Sequence, residues 1–529
     1  MPPATAAPAG SSKDQSPLFR RKRFGKLIGL IAILAGLALG AFAFGMSRKW
    51  PFAQIPTLQH LREASDSEVQ VRSFHQTYFP APGCILEGLV FHHGPPGAKP
   101  LITIERLTIR GSYLGILSQR VSRITAEGMH VTILPFGTNA PFHTIPSKVT
   151  IEEIVANGAT VEFDSDKPGE RPLLFDIHEA FLHNVGWSAP LTYHLDVHNP
   201  EPPGEVDVQG KFGVWNLKDP GETPLSGTYT FENANLSVYE GVAGTLSSTG
   251  KFGGKLAHID ISGTTATPDF KVKSSSHPVA LTTAFDAYVD ATRGNTFLKR
   301  VTADFWKTHI VAAGSIATSP DGKGKTALID LKSNDARIED LLLLFIEEKH
   351  APMSGAIAWR AHAEIPPGPQ EFLRKVKLRG AFGIEGGEFS NSSTQLGVDK
   401  LSAGARGEKA KEREDPQTVL VNLKGQVGLV GGTATFSNLS FDVPGAHAYL
   451  HGTYNLINYR IDLRGQMRVD SKVSNTTDGS KAFFLKMMEP FFKKRRKGEI
   501  VPVRISGTYE HPTFGLDLED KNARESSSR

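Results

Sequence analysis

Beyond Trp50, apolar and polar residues take turns one by one along short runs, and this period of two decides the fold class. Leu191, Tyr193, Leu195 and Val197 alternate with polar residues, as do Val206 and Val208, Tyr229 and Phe231, and Ile461 and Leu463. A two-residue period places every second side chain on one face of a strand. Gly, Asn, Asp and Pro separate the runs, and the chain holds 52 Gly and 34 Pro. The reading is a mostly β body of many short strands. Neighbours should be antiparallel, because helical crossovers are scarce. At 529 residues the chain is too long for one ordinary core.

Two internal echoes suggest that a β unit is reused. Val121, Ile124, Gly128, Val131 and Ile133 are matched thirty residues later by Ile151, Ile154, Gly158, Val161 and Phe163. "ISGTTATPDF" from Ile261 is matched by "ISGTYEHPTF" from Ile505. Each copy of either pair reads as a strand, a turn and a second strand, with Gly or Gly and Pro at the turn. Repetition of one unit points to an elongated array.

Helices are expected in three places only. Residues 57–68 form one. Asp335 to Lys349, with Leu341 to Leu344, Phe345 and Ile346, forms another. The third runs from Lys481 to Lys497. There Phe483, Phe484, Met487, Met488, Phe491 and Phe492 share one half of a helical wheel. Pro490 kinks or splits it, and Lys493, Lys494, Arg495, Arg496 and Lys497 close it with positive charge. Two readings stand: a helix packed on the end of the sheet, or a surface that docks on lipid headgroups or a membrane partner.

The N-terminus carries a membrane signal. Residues 1–26 are a tail ending in the basic cluster Arg20, Arg21, Lys22, Arg23 and Lys26. Residues 27–46 follow without a charge, presenting Leu27, Ile28, Leu30, Ile31, Ile33, Leu34, Leu37, Leu39, Phe42 and Phe44. Twenty residues as a helix span about 30 Å, enough to cross a bilayer. The larger positive charge before the run keeps the N-terminus in the cytoplasm and exports the body. A cleaved signal peptide ending near Ala43 is the rival reading.

The motifs that would carry chemistry are incomplete. His178 and His183 in "HEAFLH" are five apart, not the four that place two zinc ligands on one helical face. "SPDGKGKT" has Ser319 where a phosphate-binding loop needs its first glycine, and reads as a hairpin turn. His92 and His93 read as loop. The single cysteine, Cys84, rules out an intramolecular disulfide and reads as a small buried hydrophobe. No catalytic residue, cofactor or metal site is expected, and a net charge of +4 gives no global pull toward nucleic acid.

Three stretches resemble AsmA-like proteins of diderm bacteria, the group that includes TamB. They are "PLITIERLTIRGSYLGILSQRVSRITAEGMHVTI", "GGTATFSNLSFDVPGAHAYLHGTYNLINYRIDLRGQMRV" and "KAFFLKMMEPFFKKRRKGEIVPVRISGTYEHPTFGLDL". The first resembles that family's opening region, where paired strands lead through a short helix to the next strand. The resemblance implies a long, curved, gutter-like antiparallel sheet, anchored in the inner membrane with its body in the periplasm. It implies an apolar face that conducts phospholipid toward the outer membrane and supports envelope integrity.

On that basis the chain divides into the tail (1–26), the anchor (27–46), an N-terminal β region (50–200), central groove repeats (201–400), a C-terminal β region (401–479), a helix with closing strands (480–518) and a polar tail (519–529). Val206, Val208, Val501, Val503 and Ile505 are the candidate groove residues. The expected partners are the inner membrane and phospholipids, with outer-membrane or periplasmic proteins beside them. The alternative is a non-enzymatic scaffold for outer-membrane protein biogenesis, with apolar faces filled by its own side chains. A third, an exported enzyme, would need an interior cleft with clustered carboxylates or histidines.

Overall fold

The computed structural model describes residues 52–516, except 66, 93–98, 119, 134–149, 164–171, 187, 217, 240, 274, 320–323, 348, 369, 391–420, 444–445, 470–499 and 509–511. The 27–46 run, the 404–416 loop, the 481–497 helix and the 519–529 tail lie outside the described residues. The described chain is mostly β, and no helix in it is long and apolar enough to cross a membrane. It divides into two units. One holds the residues up to Tyr239 with Gly244–Pro268 and Thr282–Lys299; the other holds Glu240–Ala243, Asp269–Leu281 and the residues from Arg300 on.

In the first unit, helix α1 (Gln54–Ser65) precedes β1 (Glu68–Gln70), β2 (Ser73–Thr77), β3 (Gly83–His92) and β4 (Ile102–Gly111). Helix α2 (Tyr113–Ser118) leads to β5 (Arg120–Ile133). Then come β6 (Thr150–Phe163), β7 (Leu173–Val185), β8 (Leu191–Pro200), β9 (Pro203–Phe212) and β10 (Pro224–Asn235). After β11 (Val242–Ala243), which belongs to the second unit, β12 (Thr245–Lys255) and β13 (His258–Val272) follow, β13 passing into the second unit at Asp269. β1 and β2 pair with opposite ends of β3, and the ladder continues antiparallel through β4 to β5. β5 and β6 are parallel, and from β6 through β10, β12 and β13 the pairing is antiparallel again.

The rest of the chain runs β14 (Val279–Asp290), β15 (Asn295–Phe305), β16 (Thr308–Thr318), β17 (Lys325–Arg337), helix α3 (Ile338–Leu343) and β18 (Met353–Ile365). Helix α4 (Phe372–Lys375) precedes β19 (Lys377–Phe389), β20 (Val421–Val430), β21 (Thr433–Val443), β22 (Ala446–Asn455), β23 (Arg460–Val469), β24 (Ile500–Thr508) and β25 (Pro512–Leu516). Within the second unit, β16 to β25 form one antiparallel ladder in sequence order.

Five expectations are corrected. The sheet is mixed rather than wholly antiparallel, since β5 and β6 pair parallel, and the sixteen residues between Ile133 and Thr150 are enough for the crossover that parallel neighbours need. The N-terminal helix is Gln54–Ser65 rather than 57–68. The helix expected from Asp335 shrinks to Ile338–Leu343, because alternation carries β17 through Arg337. Glu339 and Asp340 then favour a helix start, since carboxylates suit the positive end of the helix dipole. The copies at Val121 and Ile151 are each one 14-residue strand rather than a hairpin. Of the other pair, the Ile505 copy is a hairpin, with Ile505 opposite Phe514 and Gly507 opposite Pro512, whereas the Ile261 copy lies inside the single strand β13. The "SPDGKGKT" segment does join two antiparallel strands, with Thr318 opposite Lys325.

Candidate functional site: two apolar faces of different exposure

Cross-strand register sorts side chains into rows running perpendicular to the strands. In the first unit one row starts at Cys84, Ile109, Ile124, Ile154 and Leu182. It passes through Tyr193, Gly210 and Gly227 to Phe252 and Ile261. Its apolar side chains are buried, from 0% exposure at Cys84 to 8% at Ile154. Here the chain's own side chains fill the apolar face. Burial pushes the Cys84 thiol up to about 12, against a hydrogen bond with Thr57.

The second unit repeats the pattern with a different outcome. A row runs Ala312, Leu331, Ala361, Gly380 and Val427. It continues through Phe436, Gly452 and Leu463 to Ile505. Every member is half-buried. A parallel row of Ala336, Ile357, Ile384, Leu423, Phe441, Ala448 and Met467 lies largely buried, with Ile338, Leu341 and Leu342 of α3 packed against its cluster. On the other side, Leu429 and Ala434 are buried with Val376. The half-buried positions, Trp359, Phe382 and Val503 among them, therefore occupy the middle of the face.

No charged residue occupies any of these rows. The charges sit one residue away, on the opposite face. Asp330 stands across from His362, His362 across from Arg379, and Thr453 across from Asp462. Asp330 holds His362 at 2.8 Å, Glu364 holds Lys377 at 2.8 Å, and Asp462 accepts from Arg504 Nε at 3.1 Å. The Lys377 ammonium keeps the Glu364 carboxyl below the usual carboxylate range.

Helix α3 is fixed by its acidic first turn. Glu339 accepts from the Gly355 N–H at 3.0 Å and from Arg337 Nε at 2.8 Å. Burial raises its pKa, but these donors outweigh that and hold it below the ordinary value. Buried Asp340 accepts from the Lys307 N–H at 3.0 Å and the Thr308 hydroxyl at 2.8 Å.

The candidate groove residues separate accordingly. Val208 is fully buried, opposite Leu195 and Tyr229, and Val206 is half-buried opposite Val197 and Phe231. Val503 and Ile505 lie half-buried on the second unit's face, and Val501 stands opposite Met467 in the register. The docking candidates from Phe483 to Lys497 lie outside the described residues. Phe382, Phe436 and Trp359 were not singled out from sequence. Phe382 and Phe436 stand opposite Gly425 and Gly452, pairs that become visible only once the register is known.

No protein family, curated protein or solved structure matches this chain in comparisons with all three.

Proposed function

We propose that the protein carries the acyl chains of phospholipid along the apolar face of its second unit, moving lipid between membranes from an inner-membrane anchor. The observation behind this reading is the half-buried, charge-free row from Ala312 to Ile505. The nine strands of that row, at about 4.8 Å, give a track of roughly 38 Å along the hydrogen-bonding direction. Each CH2 moved from water to such a surface gains about 0.8 kcal/mol, so a sixteen-carbon chain gains about 12 kcal/mol. That gain offsets most of the cost of drawing the chain out of a bilayer. No single residue need grip the lipid, which suits a face without a polar cluster.

The scaffold reading is favoured by a different observation, the filled face of the first unit. The two readings are separated by native mass spectrometry of the full-length protein extracted in detergent. Co-purified phospholipid, lost when Leu463 and Ile505 are both replaced by Asp, supports transport. A lipid-free protein, or lipid retained by the double variant, supports the scaffold.

A further inference from the structure

We propose that the polar face of β7, β8 and β9 holds a divalent transition-metal ion of the zinc class, through His178, Asp196 and Glu205. The site is independent of the apolar track. Its three ligand atoms lie within 4.8 Å of one another, and all three residues are exposed. His178 Nε2 stands 3.4 Å from Glu205 Oε2. Two donors each about 2.1 Å from a tetrahedral ion are themselves about 3.4 Å apart. The pair is therefore already at ligand spacing, and rotation of the exposed Asp196 side chain closes the rest.

Three features of the sheet build this cluster. The β7–β8 register shifts between Ile177 and Glu179, leaving His178 as the bulged residue. A bulge re-aims a side chain, and here it brings His178 onto Glu205, two strands away. His198 stands directly opposite Glu205, with Nδ1 2.7 Å from Oε1. That contact on Oε1, with His178 on Oε2, fixes the Glu205 carboxylate between the two imidazoles. His198 thus serves as the orienting partner that metal-bound carboxylates ordinarily have.

The third feature is uncompensated charge. Glu179, Asp196 and Asp207 stand opposite one another on three adjacent strands. Like charges directly opposite destabilise a sheet. Asp207 has His194 at 2.5 Å, but neither Glu179 nor Asp196 forms a hydrogen bond or ion pair among the described residues. A dication between Asp196 and Glu205 relieves that repulsion. One imidazole with two carboxylates selects a borderline ion such as zinc over magnesium or calcium, which prefer all-oxygen sets. The expected role is a staple across β7, β8 and β9, with remaining positions filled by water.

The test is calorimetric titration of metal-stripped full-length protein in detergent with ZnCl2 and, separately, MgCl2, alongside thermal melts. One zinc equivalent should bind and raise the melting temperature, and magnesium should do neither. Asp196→Asn and Glu205→Gln should each weaken zinc about tenfold or more, on the scale of a disturbed metal shell, and abolish the thermal shift. His362→Ala, at an imidazole–carboxylate pair of the second unit, should leave zinc binding and the zinc-induced shift unchanged. Absence of zinc binding would overturn the site; so would zinc binding that survives Asp196→Asn and Glu205→Gln in variants with parental melting temperatures, which would assign the metal to other groups.

Discussion

Ile124 of β5 stands beside Ile154 of β6 in a parallel ladder whose offset of thirty residues is the offset of the sequence echo. The repeat pairs with itself, so Val121 meets Ile151 and Val131 meets Val161. The pairing lapses at the same place in both strands, between Glu127↔Asn157 and His130↔Thr160. There Gly128 and Gly158 take φ of 60° and 63°. An echo that looked like two hairpins is one pair of identically bulged strands.

Those two glycines give the first prediction. An added Cβ at Gly158 meets nothing within 4 Å, while one at Gly128 meets the Glu105 carboxyl group at 2.5 Å. Gly158→Ala should therefore cost only left-handed backbone strain, about 1–2 kcal/mol. Gly158→Asn should cost less, and Gly128→Ala more than Gly158→Ala. Denaturant melts of the three variants give the ranking.

Cys84 reports on the first unit. Its thiol is buried and its pKa is pushed up to about 12. Little thiolate exists at pH 8, so native protein should resist maleimide, while denatured protein, at an ordinary thiol pKa near 8.5, should label within minutes. Mass spectrometry during a denaturant series would then time the opening of that unit. Rapid labelling of folded protein would contradict the packed face.

How much of this was legible follows the range of the interactions. Alternation is local, so the strands and the two-faced character of Leu191–Val197 or Ile461–Leu463 could be read directly. Register is not local. The Ile261 and Ile505 phrases share their letters at the glycine and proline, yet only the latter turns. Thr264, Thr265 and Thr267 are β-branched and favour strand, and Pro268 falls just beyond the last pair with β12, Ser247↔Ala266. The difference in exposure between the two apolar faces was invisible, because identical alternation underlies both. His178 was set aside on helical spacing, whereas its neighbours come from two other strands.

Acid should loosen α3. The Glu339 carboxyl titrates below its unfolded value, so its contribution is present above the ordinary Glu pKa, near 4.3, and is lost as pH falls through the lower folded value. Glu339→Gln should remove about 1–2 kcal/mol at pH 7 and almost nothing at pH 2. Melting temperatures of parent and variant across that range should converge on acidification; a constant gap would contradict the assignment.

Charges placed on the two faces should act differently. Val208 is fully buried, so Val208→Asp strands a carboxylate without a partner and should unfold the first unit or cost several kcal/mol. Ile505 is half-buried, so Ile505→Asp can reach water and should leave a folded protein. Circular dichroism melts decide this, with equal destabilisation by both as the contrary result.

The most direct test of the apolar track is a parity scan with a photo-crosslinking amino acid in the membrane-extracted full-length protein. Leu463 and Ile505 lie on the half-buried row; Asp462 and Arg504, one residue away, lie on the charged face. Phospholipid should be captured at Leu463 and Ile505 and not at Asp462 and Arg504. Equal capture at both parities, or none at either, would contradict lipid carriage along this face.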